Sequence, residues 1–351
     1  MARPLAALPK AHLHLHFTGS MRHATLVELA ADHRIHLPEA LVSEWPPRLS
    51  AADRRGWFRF QRLYDTARSV VRTEADVRRL LAEAAEDERA DGSRWLEIQV
   101  DPSGYAHRFG GLTSMLELVL DAAARASAAT GVGIGVIVAA NRTRHPLEAR
   151  TLARLAGQFA GHGVTGFGLS NDERRGAIAD FVPAFRIARR AGLRSVPHGG
   201  ELVGPASVLA CLDDLHADRI GHGVAAAGDP ALMARLAALG TTLEVCPASN
   251  VALGVAATQA DVPLARLYEA GVSIALGADD PLLFGPRLTP QYEIARHSHH
   301  LTDGQLADLA RMSVTGSAAP DELRAEMLAG IDAWLAGGDQ DPAARPRTVT
   351  A

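Results

Sequence analysis

His14 and His16, two residues apart in the run AHLHLH, are the first groups in the chain that could do chemistry together. Successive side chains of an extended strand point to opposite faces, so both imidazoles project to one side as a bidentate nitrogen clamp. A polar strand edge wetted by solvent is the plain alternative. Later segments shift the balance: His198 closes the apolar run SVPH, His222 sits in IGHGV, and Asp279 follows VSIALGA. Each stands where a buried strand is expected to finish. Three imidazoles and one carboxylate, His14, His16, His198 and Asp279, suit one zinc ion per chain, whereas calcium and magnesium favour oxygen ligands. Such a site lowers the pKa of bound water toward about 7 and makes a nucleophile available at neutral pH.

Three more groups fall beside these ligands. Glu201 follows His198 in HGGE, where the glycines permit a tight turn that returns the carboxyl group to the site without making it a ligand. In a dry pocket it would hold its proton and act as a general acid, worth about 10² to 10⁴ in rate. Capping a helix N-terminus is the alternative role, one that Asp or Ser fills better. His222 could take a proton from the attacking water or orient it, or it could be a buried structural histidine. Asp280, beside Asp279, would accept a hydrogen bond from a substrate N–H donor or ring.

The elements that must position these residues are legible as eight strand-like runs, at 11–16, 94–100, 133–140, 164–170, 194–198, 219–224, 241–246 and 272–278. Between them lie Ala-, Leu- and Arg-rich segments with apolar residues three and four apart, such as SMLELVLDAAARASAATG. Strand and helix alternating eight times predicts a parallel (β/α)₈ TIM barrel, whose chemistry sits at the carboxyl ends of the strands. An open doubly wound sheet would carry a glycine-rich phosphate loop after strand one, where this chain has HFTGS. Residues 1–336 are expected to form one barrel domain, with a helical insertion over about 20–90 and a C-terminal tail over 337–351. Within the insertion, Trp57, Phe58 and Phe60 are expected either to wall the barrel mouth or to pack helices onto the barrel.

Composition bounds the class. With 351 residues, 47% apolar and 22% charged, the chain can bury a large core. A formal charge of −4 disfavours nucleic acid. Two cysteines far apart, Cys211 and Cys246, predict no disulfide framework and a reducing compartment. No secretory leader and no apolar run near 20 residues is present, so a cytoplasmic protein without a membrane partner is expected. A homo-oligomer is neither required nor excluded.

The segments PKAHLHLHFTGS, VPHGGE, IGHGV, LEVCPASN and LGADDP resemble, in order and spacing, the signature segments of the adenosine deaminase family of metal-dependent amidohydrolases, from about residue 9 to 320. The resemblance implies a zinc enzyme that replaces the 6-amino group of an adenine ring by oxygen and releases ammonia. It places His14, His16, His198 and Asp279 on the zinc. Glu201, His222 and Asp279 become catalytic: Glu201 protonates ring N1 and His222 assists the attacking water. His16, Thr18, Asn171 and Asp280 become substrate contacts, Asp280 at N7.

Departures bear on substrate. His12 stands where glutamate is usual, HGGE replaces HAGE, and Asn171 replaces a glycine expected near purine N3. Thr18 replaces the aspartate that holds the ribose 5′-hydroxyl in adenosine enzymes and the glutamate of adenine-specific relatives. A carboxylate bonded to that hydroxyl is worth about 1.5–3 kcal/mol. The same carboxylate would repel an anionic 5′ tail by about 3 kcal/mol at 5 Å and an effective dielectric of 20, a repulsion Thr18 relieves. A 5′-modified adenosine such as 6-aminodeoxyfutalosine, of menaquinone biosynthesis, therefore joins adenosine as a candidate substrate, with adenine as an alternative. A two-metal site bridged by a modified lysine is excluded, because Lys10 is the only lysine and precedes the expected first strand. The P-C-x-x-C of cytidine-type deaminases is absent. A non-catalytic purine-binding protein on this scaffold is the rival from another class.

Overall fold

Each expected run forms a strand: β1 (Lys10–His16), β2 (Ser93–Val100), β3 (Gly133–Asn141), β4 (Val164–Ser170), β5 (Arg194–Gly199), β6 (Arg219–His222), β7 (Thr242–Val245) and β8 (Ile274–Leu276). The last three are shorter than the apolar runs that announce them. This computed structural model describes residues 2–49 and 54–337, so the expected tail lies outside them apart from Gly337.

All neighbouring strands pair in parallel in the order β1 to β8, with helices between them, a (β/α)₈ barrel. Closure occurs at the carboxyl end, where the Asp279 N–H donates to His14 O and the His16 N–H to Asp279 O, both at 3.0 Å. Backbone bonds thus join segments 265 residues apart, and they do so at three of the expected ligands. Lys10, expected just ahead of strand one, opens β1; its buried Nζ donates to the carbonyls of Leu5, Leu8 and Asp91.

Strict alternation would also turn His12 inward. A register shift between His12 and Leu15 turns it outward instead, where Nδ1 bonds Glu88 at 2.6 Å and Nε2 accepts the Ala278 N–H at 2.9 Å.

The segment between β1 and β2 holds α1 (His23–Asp32), α2 (Arg54–Ser69) and α3 (Glu74–Ala90). Thr73 and Asp76 form a reciprocal capping box that starts α3. Helix α2 crosses the mouth with Trp57, Phe60, Gln61, Tyr64 and Arg68 on the cleft, positions that fall on one helical face. Phe60 stacks on Phe284, with centroids 5.7 Å apart. The expected aromatic wall is thereby corrected in one member: Phe58 lies off that face and is 67% exposed.

Candidate active site

Four strand ends bring five side chains together. His14 and His16 come from β1, His198 from β5, His222 from β6, and Asp279 lies three residues past β8. His14 Nδ1 faces a Glu244 carboxylate oxygen at 2.8 Å, so Nδ1 carries a proton and Nε2 is the nitrogen that can take a second proton or a metal ion. That Nε2 is buried, has no hydrogen-bond partner, and lies 3.5 Å from Asp279 Oδ1. His16 Nε2 is 3.2 Å from the same oxygen and 3.2 Å from His198 Nε2. Donor atoms of His14, His16 and His198 lie within 4.8 Å of one another, as do those of His16, Asp279 and Asp280.

The electrostatics ask for a cation there. Burial alone would lower the His14 pKa, yet Asp279 and Glu244 push it up to about 10. The two carboxylates favour positive charge between them, which a proton or a metal ion can supply. Burial and the neighbouring histidines hold His198 well below the ordinary range, and burial takes His222 down to about 3. A partnerless imidazole nitrogen, a second one facing a third, and a carboxylate in reach fit a divalent ion with nitrogen-rich ligation.

Two residues store backbone strain at this point: His222 and Asp279 have φ of 62° and 60°, in the left-handed region that non-glycine residues rarely adopt. Glu201 is buried and faces the cleft, its Oε1 3.6 Å from His222 Nε2. Burial, then the charges of Asp279 and Glu173, raise its pKa well above the ordinary value, so it holds its proton. Helix-capping is ruled out for Glu201, because the following helix, Pro205–Asp213, has Gly204 as its N-cap residue. Asp280 is raised in the same way, by burial and then Asp279, and its Oδ1 has no partner.

A model of the adenosine deaminase family matches residues 9–334. The chain belongs to the adenosine deaminase family. A protein of Streptomyces coelicolor provisionally named adenosine/adenine deaminase is 64% identical, over 95% of this chain and 98% of its own. The aminodeoxyfutalosine deaminase of the same organism is 35% identical, over 95% of this chain and 87% of its own. Among solved structures, adenine deaminase from Arthrobacter aurescens superposes with a TM-score of 0.86 at 29% identity, covering 94% of this chain and 99% of that one. Family membership makes the chain a deaminase-type hydrolase of C–N bonds.

Within this deaminase-family cleft the remaining expected contacts take definite positions. Thr18 Oγ1 is 2.5 Å from Tyr105 Oη, so its hydroxyl is engaged by the protein. Asn171 has φ 81°, the conformation for which a glycine is the ordinary choice, and its Nδ2 donates to Gln61 Oε1 on α2 at 3.0 Å. Its side chain therefore joins the α2 wall.

Several site residues escaped sequence reasoning. Ser249 Oγ donates to Asp279 Oδ2 at 2.6 Å and orients that carboxylate. A Cβ on Gly19 would lie 1.8 Å from Asp280 Oδ1, so glycine is required beneath Asp280. Glu244 and Glu97 had a readable signal, an acid inside an otherwise apolar strand. Glu173 had none, nor had Gln61, Tyr64 and Arg68 on the cleft face of α2.

Proposed function

We propose that the chain hydrolyses the exocyclic 6-amino group of an adenine ring, carried by a nucleoside, in a zinc-dependent reaction. What carries this is the convergence of His14, His16, His198 and Asp279 beside a protonated Glu201 on the wall of one cleft. The catalytic unit is the single barrel of residues 1–336.

His14, His16, His198 and Asp279 would hold the ion, which when bound supplies Lewis acidity and lowers the pKa of water. Glu201 donates its proton to ring N1, which makes C6 more electrophilic as water adds. His222, with its pKa near 3, is a weak proton sink and a serviceable hydrogen-bond acceptor, so it orients the attacking water. Asp280 keeps its proton and donates to N7, which has only a lone pair to offer; its role is donation. Addition of water at C6 and loss of ammonia leave a 6-oxo ring, with Glu201 and Asp280 stabilising charge that grows in the transition state.

The part of the cleft lined by Thr18 bears on the substituent. No carboxylate occupies position 18, and Arg68 of α2 lines the cleft with its guanidinium 5.1 Å from the Tyr64 ring and 6.0 Å from that of Tyr105. This guanidinium, whose Nη1 also pairs with Asp65 Oδ1 at 3.1 Å and which shares the cleft with Asp101, favours an anionic 5′ group such as the benzoate of 6-aminodeoxyfutalosine. A second reading, adenosine or free adenine, is favoured by similarity: the Streptomyces coelicolor protein provisionally named for those substrates is nearly twice as identical as that organism's aminodeoxyfutalosine enzyme.

Loss of purine absorbance tests the reaction: turnover should require the metal and fall about 10²–10⁴-fold in Glu201→Gln. Turnover that survives that substitution overturns the acid assignment. A panel of adenine, adenosine and 6-aminodeoxyfutalosine tests the substituent; a preference of about ten-fold or more for adenosine, some 1.4 kcal/mol, removes the anionic tail.

A further inference from the structure

The HGGE turn that presents Glu201 is wrapped around a carboxylate from another strand. Glu173, in the loop after β4 and 6% exposed, accepts four successive backbone N–H groups. Its Oε1 takes Gly200 at 2.5 Å, and its Oε2 takes Glu201 at 2.9, Leu202 at 2.6 and Val203 at 3.2 Å. The Ser207 hydroxyl, from the first turn of helix Pro205–Asp213, donates to Oε1 as well. Consecutive amides converging in this way form an anion-binding nest, here filled by the chain's own side chain. Space enforces the same path: Gly200 has φ +69°, and a Cβ on it would lie 2.3 Å from Val208. On the other side, Arg142 Nη2 donates to the His198 carbonyl at 2.6 Å.

We propose that Glu173 is a positioning residue for the reaction: by binding the amides of 200–203 it fixes the direction in which Glu201 delivers its proton, without touching substrate or the metal-binding cluster. A turn with a glycine pair has many accessible conformations, and only one aims the Glu201 carboxyl into the cleft. The negative charge of Glu173 adds to the burial that keeps Glu201 protonated.

The kinetic half of the test rests on the deaminase reading; the exchange half does not. Glu173→Gln keeps the size but turns an amide N–H₂ toward donors. Expected are a kcat about 30- to 100-fold lower per folded molecule, a KM within about three-fold, unchanged metal content, and faster hydrogen exchange confined to the amides of 200–203. A kcat within about three-fold of the parent overturns the proposal, as does a loss of kcat that tracks loss of metal, since the effect would then run through His198. Should Glu173→Gln not fold, Ser207→Ala decides: it removes one donor, and kcat should fall about three- to ten-fold at constant KM, an unchanged kcat overturning the proposal. If the parent turns over no purine, the deaminase reading fails alone, and exchange at 200–203 in the variants still reports whether Glu173 holds the turn.

Discussion

Two clusters of buried charge meet at His14, and they are built on opposite rules. Inside the barrel, Arg219 donates to Glu244 at 2.7 Å, to Glu97 at 2.6 Å and to the Gly316 carbonyl at 3.0 Å. Glu97 also accepts the Trp95 indole N–H and the Ala318 amide. Every charge there has its counterpart. At the mouth, by contrast, His14 Nε2, His198 Nδ1, His222 Nδ1 and Asp280 Oδ1 are buried without hydrogen-bond partners among the described residues. Buried polar groups left unpaired cost about 1–3 kcal/mol each, so the mouth, unlike the internally paired interior, favours a ligand that bonds these atoms. The difference separates scaffold from site more sharply than burial does, since both clusters are almost fully buried.

The pKa directions repeat the contrast in two glutamates. Burial pushes both upward. Arg219 and the His14 bond reverse this for Glu244 and hold it below the ordinary value, whereas Asp279 and Glu173 drive Glu201 further up.

Four substitutions separate scaffold from site, with effects that descend from several kcal/mol to almost none. Arg219→Met removes the buried cation that Glu97 and Glu244 share and should cost about 3–5 kcal/mol in denaturant unfolding. A loss under 1 kcal/mol would show that the interior is not a charge-balanced scaffold. Glu244→Gln removes the acceptor that fixes the His14 tautomer, and calorimetric zinc affinity should fall about 10- to 100-fold; unchanged affinity would detach the scaffold from the site.

The third prediction has opposite signs in the two regions and is read on metal-free protein by thermal melts across pH. Glu201 has a raised folded pKa, so the parent loses stability as pH climbs from the unfolded value near 4.5 toward the folded one. Glu201→Gln escapes that loss and should melt higher than the parent at neutral pH, the gap closing below pH 4.5. Glu244 has a lowered folded pKa, so its stabilisation is present above 4.5 and lost as pH falls through the folded value. Glu244→Gln should therefore melt lower at neutral pH and converge on the parent in acid. Shifts of the same sign in both variants would refute the contrast. Smallest is Phe58→Ser: this exposed side chain lies off the cleft face of α2, so stability should move by no more than about 0.5 kcal/mol and KM should hold. A several-fold rise in KM would return Phe58 to the cleft wall.

How far the sequence carried the reading depends on the distance between partners. Apolar runs reported all eight strands and period-3.6 patterns the helices between them, because each is a local consequence of burial, on both faces for a barrel strand and on one for a covering helix. HxH and HGGE could be read because their members are neighbours and their geometry follows from strand and turn. Thr18 could be seen to lack a carboxyl group, but its engagement by Tyr105, 87 residues away, could not. Nor could the outward turn of His12, which depends on a register shift against β2.

By itself, then, the sequence determined the alternation that makes a barrel, the histidines and acids at strand ends, and the absence of a lysine that could bridge two metals. Closure of β1 onto the segment after β8 decided the rest. It brought Asp279 to His14 and His16 through backbone hydrogen bonds, set Glu244 behind His14, and laid α2 across the cleft. Those contacts span tens to hundreds of residues, and their energies depend on distances and exclusion of water that exist only once the chain has folded.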